Sequence, residues 1–225
     1  CCSAATSWFI QIAINRLEML RQCRRVMYDR KLKMSEKKQY WKGGNMLYPL
    51  PAVMVSCQRP GERANIITVA WTGTVCTNPP MVYISVRPNR YSYDIIRETK
   101  EFVINLTNEK LVKAVDYCGV VSGRDVDKFE RMHLTQERSL EVSAPSILES
   151  PVNIECQVTE VKELGSHHMF LANVVKVHVK EDLLDEKGRF MLERAGLIHY
   201  LHGSYFSQGQ ELGSFGYSVR KNKKK

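Results

Sequence analysis

The strongest constraint on the fold is a series of short β-type runs, separated by turn residues, that begins near Leu50. Apolar, β-branched and aromatic residues concentrate in the runs, whereas Gly, Pro and Asn cluster between them, which is typical of strands and their connections. The predicted strands are Ala52–Cys57, Asn65–Thr72, Met81–Val86, Glu101–Leu106, Val152–Val158 and Met169–Val179.

The second half of the chain contains the longest runs, and these predict a β-hairpin. The run that starts at Val152 alternates apolar and polar residues and continues toward Glu163, and Gly165–His168 supplies the turn into the returning run. Alternation of this kind indicates paired strands with one buried face.

Only two segments have convincing helical spacing. The first is Tyr91–Thr99, with Ser92 as the expected N-cap, and the second is Asn108–Cys118, with Gly119 as the residue that ends it. At least six strands with two or three helices favour a β-barrel or sandwich over alternating strands and helices. The predicted fold is therefore mainly β, with a few flanking helices, and residues 34–219 are expected to form one domain.

The positive charge lies at the two ends of the chain. The formal net charge is +9, but residues 1–33 carry +5, residues 220–225 carry another +5, and residues 34–219 carry −1. A protein that binds nucleic acid needs a basic face on its folded body. We therefore expect no nucleic-acid partner, and we interpret the lysine-rich tail 220–225 as a solvated terminus.

The first 33 residues differ from the rest and are predicted to lie outside the functional fold. They are basic and amphipathic, and the chain from Met34 onward resembles a natural start. No apolar run approaches the roughly 18 residues that a membrane-spanning helix requires. The seven cysteines are widely spaced without a C-x-x-C pair, which favours reduced thiols and a cytoplasmic location.

Familiar catalytic and metal-binding motifs are missing from the sequence. It contains no G-x-G-x-x-G after a strand, no P-loop and no H-E-x-x-H. The histidine spacings His167-His168 and His199-x-x-His202 come without nearby carboxylate or cysteine partners, so no metal site is predicted. A sequence of this kind can instead take its chemistry from a bound cofactor.

An ordered set of short strings resembles the flavin reductase-like family, and more narrowly its flavoredoxin branch. The strings span roughly residues 45–219 and are Asn65–Gly73, Asn78–Arg87, Arg90–Asp94, Glu101–Asn105, Ser122–Phe129, Gly165–His167 and Gly213–Tyr217. The resemblance implies a Greek-key split β-barrel that binds FMN noncovalently and pairs as a homodimer, with each flavin near the subunit interface. It also implies that a nicotinamide donor docks directly against the flavin.

The residues at the end of the third predicted strand and at the start of the following helix suit the phosphate of FMN. Arg87 ends a strand, and Tyr91 and Ser92 begin the next helix, which brings together a guanidinium, two hydroxyls and free backbone N–H groups. The alternative is that Arg87 is a surface charge and Ser92 only a helix cap.

Other candidate residues are assigned to the flavin by the resemblance. They are Asn65, Thr68, Ala70, Trp71, Thr72, Ser85, Lys128 and His167. Trp71 could equally belong to the core or to a dimer interface, and Lys128 could be a solvated loop residue. A cation near the ring would stabilise its reduced, anionic form. His167 is a candidate contact for substrate or nicotinamide, although His168 could take its place.

The function that these observations predict is an FMN-dependent oxidoreductase. It would pass electrons from NADH, NADPH or a partner protein through FMN to an acceptor, without a protein nucleophile. The alternative is an FMN-binding electron carrier that does not turn over, and a binding module of the barrel type is a third hypothesis.

Overall fold

The computed structural model describes residues 18–22 and 38–220, and residues 18–22 are helical. The chain divides into two units, 1–46 and 47–225, and all the described strands lie in the second. The predicted boundary at residue 34, Cys1, Cys2, Cys23 and residues 221–225 lie outside the described residues. No helix in the described part of the chain is long and apolar enough to span a bilayer.

The second unit is built mainly from strands. In chain order these are β1 Leu50–Pro51, β2 Val53–Cys57, β3 Asn65–Val69, β4 Thr72–Thr77, β5 Pro80–Val86, β6 Glu101–Asn105, β7 Gln136–Glu137, β8 Ser146–Ile147, β9 Val152–Glu163, β10 His168–Val179, β11 Ile198–Leu201 and β12 Ser204–Ser207. The α-helices are α1 Tyr91–Thr99, α2 Val112–Val120 and α3 Lys128–Arg131, and 3₁₀ turns occupy Glu109–Leu111, Glu181–Leu183, Leu192–Ala195 and Tyr217–Val219.

Seven strands form one curled antiparallel sheet in the order β3-β2-β6-β9-β10-β5-β4. Its two end strands, β3 and β4, are consecutive in the chain, so the sheet curls until its ends approach each other. Between them the backbone leaves the ladder at Ala70 and Trp71, where the Trp71 carbonyl accepts a hydrogen bond from the Ser85 N–H at 2.8 Å. The result is a barrel that is split rather than closed.

This crossing corrects the prediction of one strand over Asn65–Thr72. The chain has to pass from one end of the sheet to the other, and this passage breaks the run into β3 and β4. Strand β4 was not predicted, because its sequence of threonines, Gly73 and Cys76 lacks an alternating apolar pattern. The predicted hairpin is confirmed as β9 and β10, which pair along their length with two register shifts.

Strands β2 and β3 are buried on both faces, and this explains their continuous apolar runs. One face, including Val55 and Ile67, packs inside the barrel with Phe102 and Phe170. The other face, including Met54 and Ile66, is covered by helices, and Val115 of α2 is among the residues that cover it. Burial of each such side chain contributes about 1.5–3 kcal/mol.

The helix ends differ from the predictions. The cap position before α1 is Arg90, and the hydroxyl of Ser92 lies inside the first turn, so the prediction that Ser92 is the N-cap is wrong. The second predicted helix begins as a 3₁₀ turn and continues through Val120, so Gly119 lies within α2 rather than ending it. A Cβ on Gly119 would lie 3.3 Å from the Cβ of Thr68, which indicates that the glycine serves the close approach of α2 to β3.

The end of the chain forms a second, small sheet and an exposed segment. Strands β1, β11 and β12 pair in the order β1-β11-β12. Beyond β12, the large apolar side chains of Leu212, Phe215 and Val219 are exposed. His199 stacks on Phe206 and His202 contacts Tyr48, so the two histidines pack against different aromatic rings.

Candidate flavin site

A cleft of about 180 Å³ lies where the start of β3, the turn before α1, the end of α2 and the loop after α2 meet. The residues that line it are Asn65, Ile67, Asn89, Arg90, Tyr91, Ser92, Cys118, Gly119, Val121, Ser122, Gly123, Arg124 and Lys128. Four of the predicted site residues are therefore brought together here, and these are Asn65, Tyr91, Ser92 and Lys128.

Asn65 and Ser92 form the buried floor of the cleft. The side-chain amide of Asn65 donates a hydrogen bond to the hydroxyl of Ser92 at 2.7 Å, and both residues are almost completely buried. The bond joins the first residue of β3 to the first turn of α1, where the Tyr93 N–H donates to the Arg90 carbonyl and the N–H groups of Tyr91 and Ser92 precede any helical partner. This corner therefore offers hydroxyl and backbone N–H groups to an anion.

Gly123 is required by the close approach of its backbone to Asn65. A Cβ at this position would lie 1.9 Å from the side-chain oxygen of Asn65, well inside contact distance. Any larger residue would have to displace the Asn65 amide and so disturb its bond to Ser92. The glycine therefore fixes the shape of the cleft where the loop meets the barrel.

Lys128 is a buried cation, not a solvated loop residue. Its ammonium donates hydrogen bonds to the carbonyls of Ile66, at 2.7 Å, and Cys118, at 2.9 Å, and its side chain is 3% exposed. Burial is the main reason that the pKa of Lys128 is below its usual value, and the nearby charge of Arg90 lowers that pKa further. Within the described residues no carboxylate pairs with it. A buried ammonium without a counter-ion favours an anionic occupant of the cleft.

Two arginines that the sequence analysis did not select face the cleft. Arg90 precedes α1, and Arg124 lies over the ring of Tyr91, with its guanidinium carbon 5.5 Å from the ring centre. Arg87, the predicted phosphate ligand, does not line the cleft. The turn Arg87–Arg90, closed by a hydrogen bond from the Arg90 N–H to the Arg87 carbonyl, separates the two residues.

A second cluster lies at the open edge of the barrel and contains Trp71 and His167. Their ring centres are 4.2 Å apart, and His167 is partly exposed. Partial burial, together with the charges of Arg87 and Arg90, holds the pKa of His167 below its usual value. His168 instead forms a hydrogen bond with the hydroxyl of Tyr93 at 2.8 Å. His167 is the histidine on which the charges of Arg87 and Arg90 act.

The remaining predicted residues lie on β3, β4 and β5 and at the crossing between β3 and β4. The hydroxyl of Thr68 donates to the Val115 carbonyl, and that of Thr72 donates to the Tyr83 carbonyl at 2.6 Å, so both are used within the fold. Ala70 lies at the crossing between β3 and β4, and Ser85 is joined to Trp71 by the backbone hydrogen bond described above.

Four cysteines among the described residues are free thiols, and one of them, Cys118, lines the cleft. Cys57, Cys118 and Cys156 are buried and Cys76 is half-buried, and none of these four forms a disulfide. Burial raises the pKa of Cys57 to about 12 and that of Cys118 to about 11, against the smaller opposing effect of Lys128. The Cys57 and Cys118 thiols therefore stay protonated near neutral pH, which argues against either one as a nucleophile.

The donors of the cleft fit the phosphate of FMN. Guanidinium groups, hydroxyls and the N-terminus of α1 converge there, and no carboxylate is among the described residues that line it. Sequence reasoning missed Asn89, Arg90, Ser122, Gly123 and Arg124. The strings Arg90–Asp94 and Ser122–Phe129 were the available signal, but spacing alone did not say which of their side chains face the barrel.

Known proteins match this chain over most of its length. The model of the flavin reductase like domain matches residues 45–207. The structure of flavoredoxin from Desulfovibrio vulgaris (Miyazaki F) aligns with a TM-score of 0.76 and 27% identity, covering 82% of this chain and 100% of that chain. An FMN-binding protein from Thermus thermophilus, solved with 1-cyclohex-2-enone, aligns with a TM-score of 0.67 and 25% identity, covering 80% of this chain and 97% of its own.

A relative whose name gives an activity is matched over a shorter length. The reductase component of 4-nitrophenol 4-monooxygenase/4-nitrocatechol 2-monooxygenase from Rhodococcus opacus is 26% identical over 112 residues. The match covers 48% of this chain and 55% of that protein. Since the family match extends over well over half of the sequence, and the fold is the mainly β split barrel that the sequence predicts, the chain belongs to the flavin reductase like domain family.

Proposed function

We propose that this protein is an oxidoreductase that binds FMN noncovalently and passes electrons from NADH, NADPH or a redox partner protein to an acceptor. The observation that carries the proposal is the composition of the cleft, which combines Arg90, Arg124 and Lys128 with hydroxyl groups and no carboxylate among its described lining. The likeness to flavoredoxin, to an FMN-binding protein and to a reductase component supports the same conclusion.

The residues of the chain hold and orient the cofactor in this proposal. Arg90, Arg124 and the first turn of α1 bind its phosphate, and Asn65 and Ser92 fix the floor beneath the polar chain. Lys128 supplies a buried positive charge that favours added negative charge on the occupant. When bound, FMN supplies the transfer of hydride or electrons. Trp71 and His167 lie where a donor or acceptor would approach.

The test is the absorption spectrum of the purified protein. We expect FMN-like absorbance at isolation or uptake of added FMN at one per chain, followed by bleaching when NADH or NADPH is added. A protein that neither contains nor takes up FMN would refute the proposal. Steady-state oxidation of NAD(P)H with free FMN, FAD or ferric complexes as acceptor then separates an enzyme from a carrier that is reduced once and does not turn over.

We also propose that the protein is a homodimer. The cleft of about 180 Å³ is smaller than the roughly 300–1,000 Å³ of ordinary ligand pockets, so one chain encloses only part of a flavin. The exposed side chains of Leu212, Phe215 and Val219 offer an apolar segment that a second copy could cover.

We further propose a cytoplasmic location, because Cys57, Cys118 and Cys156 are free thiols, as is usual in a reducing compartment.

Light scattering coupled to gel filtration checks the oligomeric state. We expect a mass of about twice the 25.9 kDa of one chain. Replacing Leu212 and Phe215 together by serine should shift the protein toward the monomer, because the change removes apolar area from the contact. A wild-type protein that elutes with the mass of one chain at all concentrations would contradict the dimer.

A further inference from the structure

One arginine outside the cleft holds the loop that covers it. Arg63 lies in the turn between β2 and β3 and is not among the cleft residues. Its guanidinium donates a hydrogen bond to the Gly123 carbonyl at 2.9 Å, and its Nε lies 4.0 Å from a carboxylate oxygen of Asp127. The planar guanidinium therefore contacts the loop at two points, near its start and at its end.

The segment held in this way, Ser122–Asp127, forms one wall of the cleft. It contributes Ser122, Gly123 and Arg124 to the lining. Its other hydrogen bonds to backbone are local, because the N–H groups of Arg124 and Asp125 bond to Ser122 and the Asp127 carboxylate accepts from the Glu130 N–H. Among the described residues, Arg63 makes the hydrogen bond that ties this segment to the β3 side of the barrel.

The position of the segment controls two of the cationic groups. Arg124 is carried by the loop itself, and Lys128 is the first residue of α3, directly after Asp127. Asp127 also caps α3, so a change at Asp127 moves the start of the helix that places Lys128. If the loop lost its contacts with Arg63, the wall of the cleft beside the phosphate would open and Arg124 would move away from the phosphate.

We propose that Arg63 is a latch that holds Ser122–Asp127 over the bound flavin and thereby sets how slowly FMN leaves. The inference rests on the proposed function and extends it, since a closed latch makes FMN a resident group, whereas an open one makes it an exchanging substrate. Arg63 acts through the loop and does not touch the cofactor, so it is a positioning residue. The pairing is only partly shielded, with the side chains of Arg63 and Asp127 47% and 24% exposed.

The test compares FMN release from three variants in the full chain. Release is measured by the recovery of free-flavin fluorescence after rapid dilution of the FMN-loaded protein. Arg63→Ala should release FMN at least tenfold faster than the parent, and Arg63→Lys should fall between them because an ammonium cannot span both contacts. Arg59→Ala is the matched control, since Arg59 lies in the same turn but pairs with Glu98 and Glu62, and its release rate should stay within twofold.

Two further readouts distinguish a latch from general loosening. The absorption spectrum of FMN bound to Arg63→Ala should match that of the parent, because the ring environment is unchanged, and its melting temperature should fall no more than that of Arg59→Ala. If Arg63→Ala does not fold, Arg63→Lys and Arg63→Gln carry the test, and both should release FMN several-fold faster because neither side chain can make both contacts.

The outcomes separate the latch from the function beneath it. A parent protein that binds no FMN would refute the proposed function. A parent that binds FMN, together with Arg63 variants that fold, load and release it at the parental rate, would overturn the latch alone. An equal acceleration in Arg59→Ala would also overturn it, because the effect would then not depend on the loop contact.

Discussion

Replacing Arg90 and Arg124 together by glutamine should weaken FMN binding at least 100-fold while the barrel stays folded. Each guanidinium faces the cleft, and a hydrogen bond between charged groups contributes about 1.5–3 kcal/mol. Two such losses amount to about 3 kcal/mol at the low end, which corresponds to roughly two powers of ten in affinity. Titration of the apoprotein with FMN, followed by flavin fluorescence, measures the effect.

Two single variants serve as controls for this prediction. Arg97→Gln removes a guanidinium from the last turn of the same helix, on an exposed position, and should leave FMN affinity unchanged. Arg87→Gln should weaken binding less than tenfold, because Arg87 lies beyond the turn and outside the cleft lining. If the Arg87 variant lost more affinity than the double variant, the phosphate would have to bind on the Trp71 side of the turn instead.

Replacing Glu155 by alanine should lower the free energy of unfolding by about 3 kcal/mol. The carboxylate is completely buried on β9, and it accepts hydrogen bonds from the N–H groups of Leu140, Glu141 and Val142. It also bonds to His178 on the neighbouring strand. Removing it leaves three backbone donors and His178 without their partner, and both Glu155 and Val142 are buried, so the loss is among the more destabilising single changes. Urea denaturation measures the loss.

The control for this variant is the neighbouring glutamate on β6. Glu101 holds the same loop through the N–H and hydroxyl of Ser143, but these groups are exposed to water. Glu101→Ala should therefore cost about 1 kcal/mol or less. Equal losses in the two variants would show that burial of Glu155 contributes nothing beyond an ordinary surface contact.

Glu155 also predicts how stability depends on pH. Burial by itself would raise the pKa of this carboxyl, but the hydrogen bonds from Leu140, Glu141 and His178 together outweigh burial and hold the pKa below its usual value. Its contribution is then complete above the unfolded-state pKa of about 4.3 and is lost as the pH falls through the lower, folded-state pKa. The parent should lose stability below about pH 4 more steeply than Glu155→Ala.

Much of the architecture could be predicted from the sequence, because strands impose a local pattern on it. Alternation along Val152–Glu163 and the turn at Gly165 identify the long hairpin, and helical spacing identifies α1. The passage between β3 and β4 could not be predicted, since the break at Ala70 and Trp71 follows from where the two ends of the sheet meet. The local sequence does not encode where the two ends of the sheet meet.

The candidate site likewise contains residues that could be predicted from the sequence and residues that only the tertiary structure reveals. Tyr91 and Ser92 were predicted from the residue types at the start of a helix, whereas Asn65 and Lys128 were assigned by the resemblance, because their local sequence is equally typical of a turn and a solvated loop. Which of Arg87 and Arg90 faces the cleft depends on the turn that separates them. The burial of Lys128 depends on carbonyls that β3 and α2 bring to it.

What the sequence determined by itself is the mainly β class, the long strands and their order, and the kind of ligand that its basic and hydroxyl groups suit. Only the tertiary structure decided that Gly123 lies against Asn65, that Arg63 reaches across to the loop, and that Arg124 rather than Arg87 completes the wall of the cleft. The physical reason is that periodicity and propensity act between near neighbours in the chain, whereas these contacts join segments that meet only after the sheet has curled.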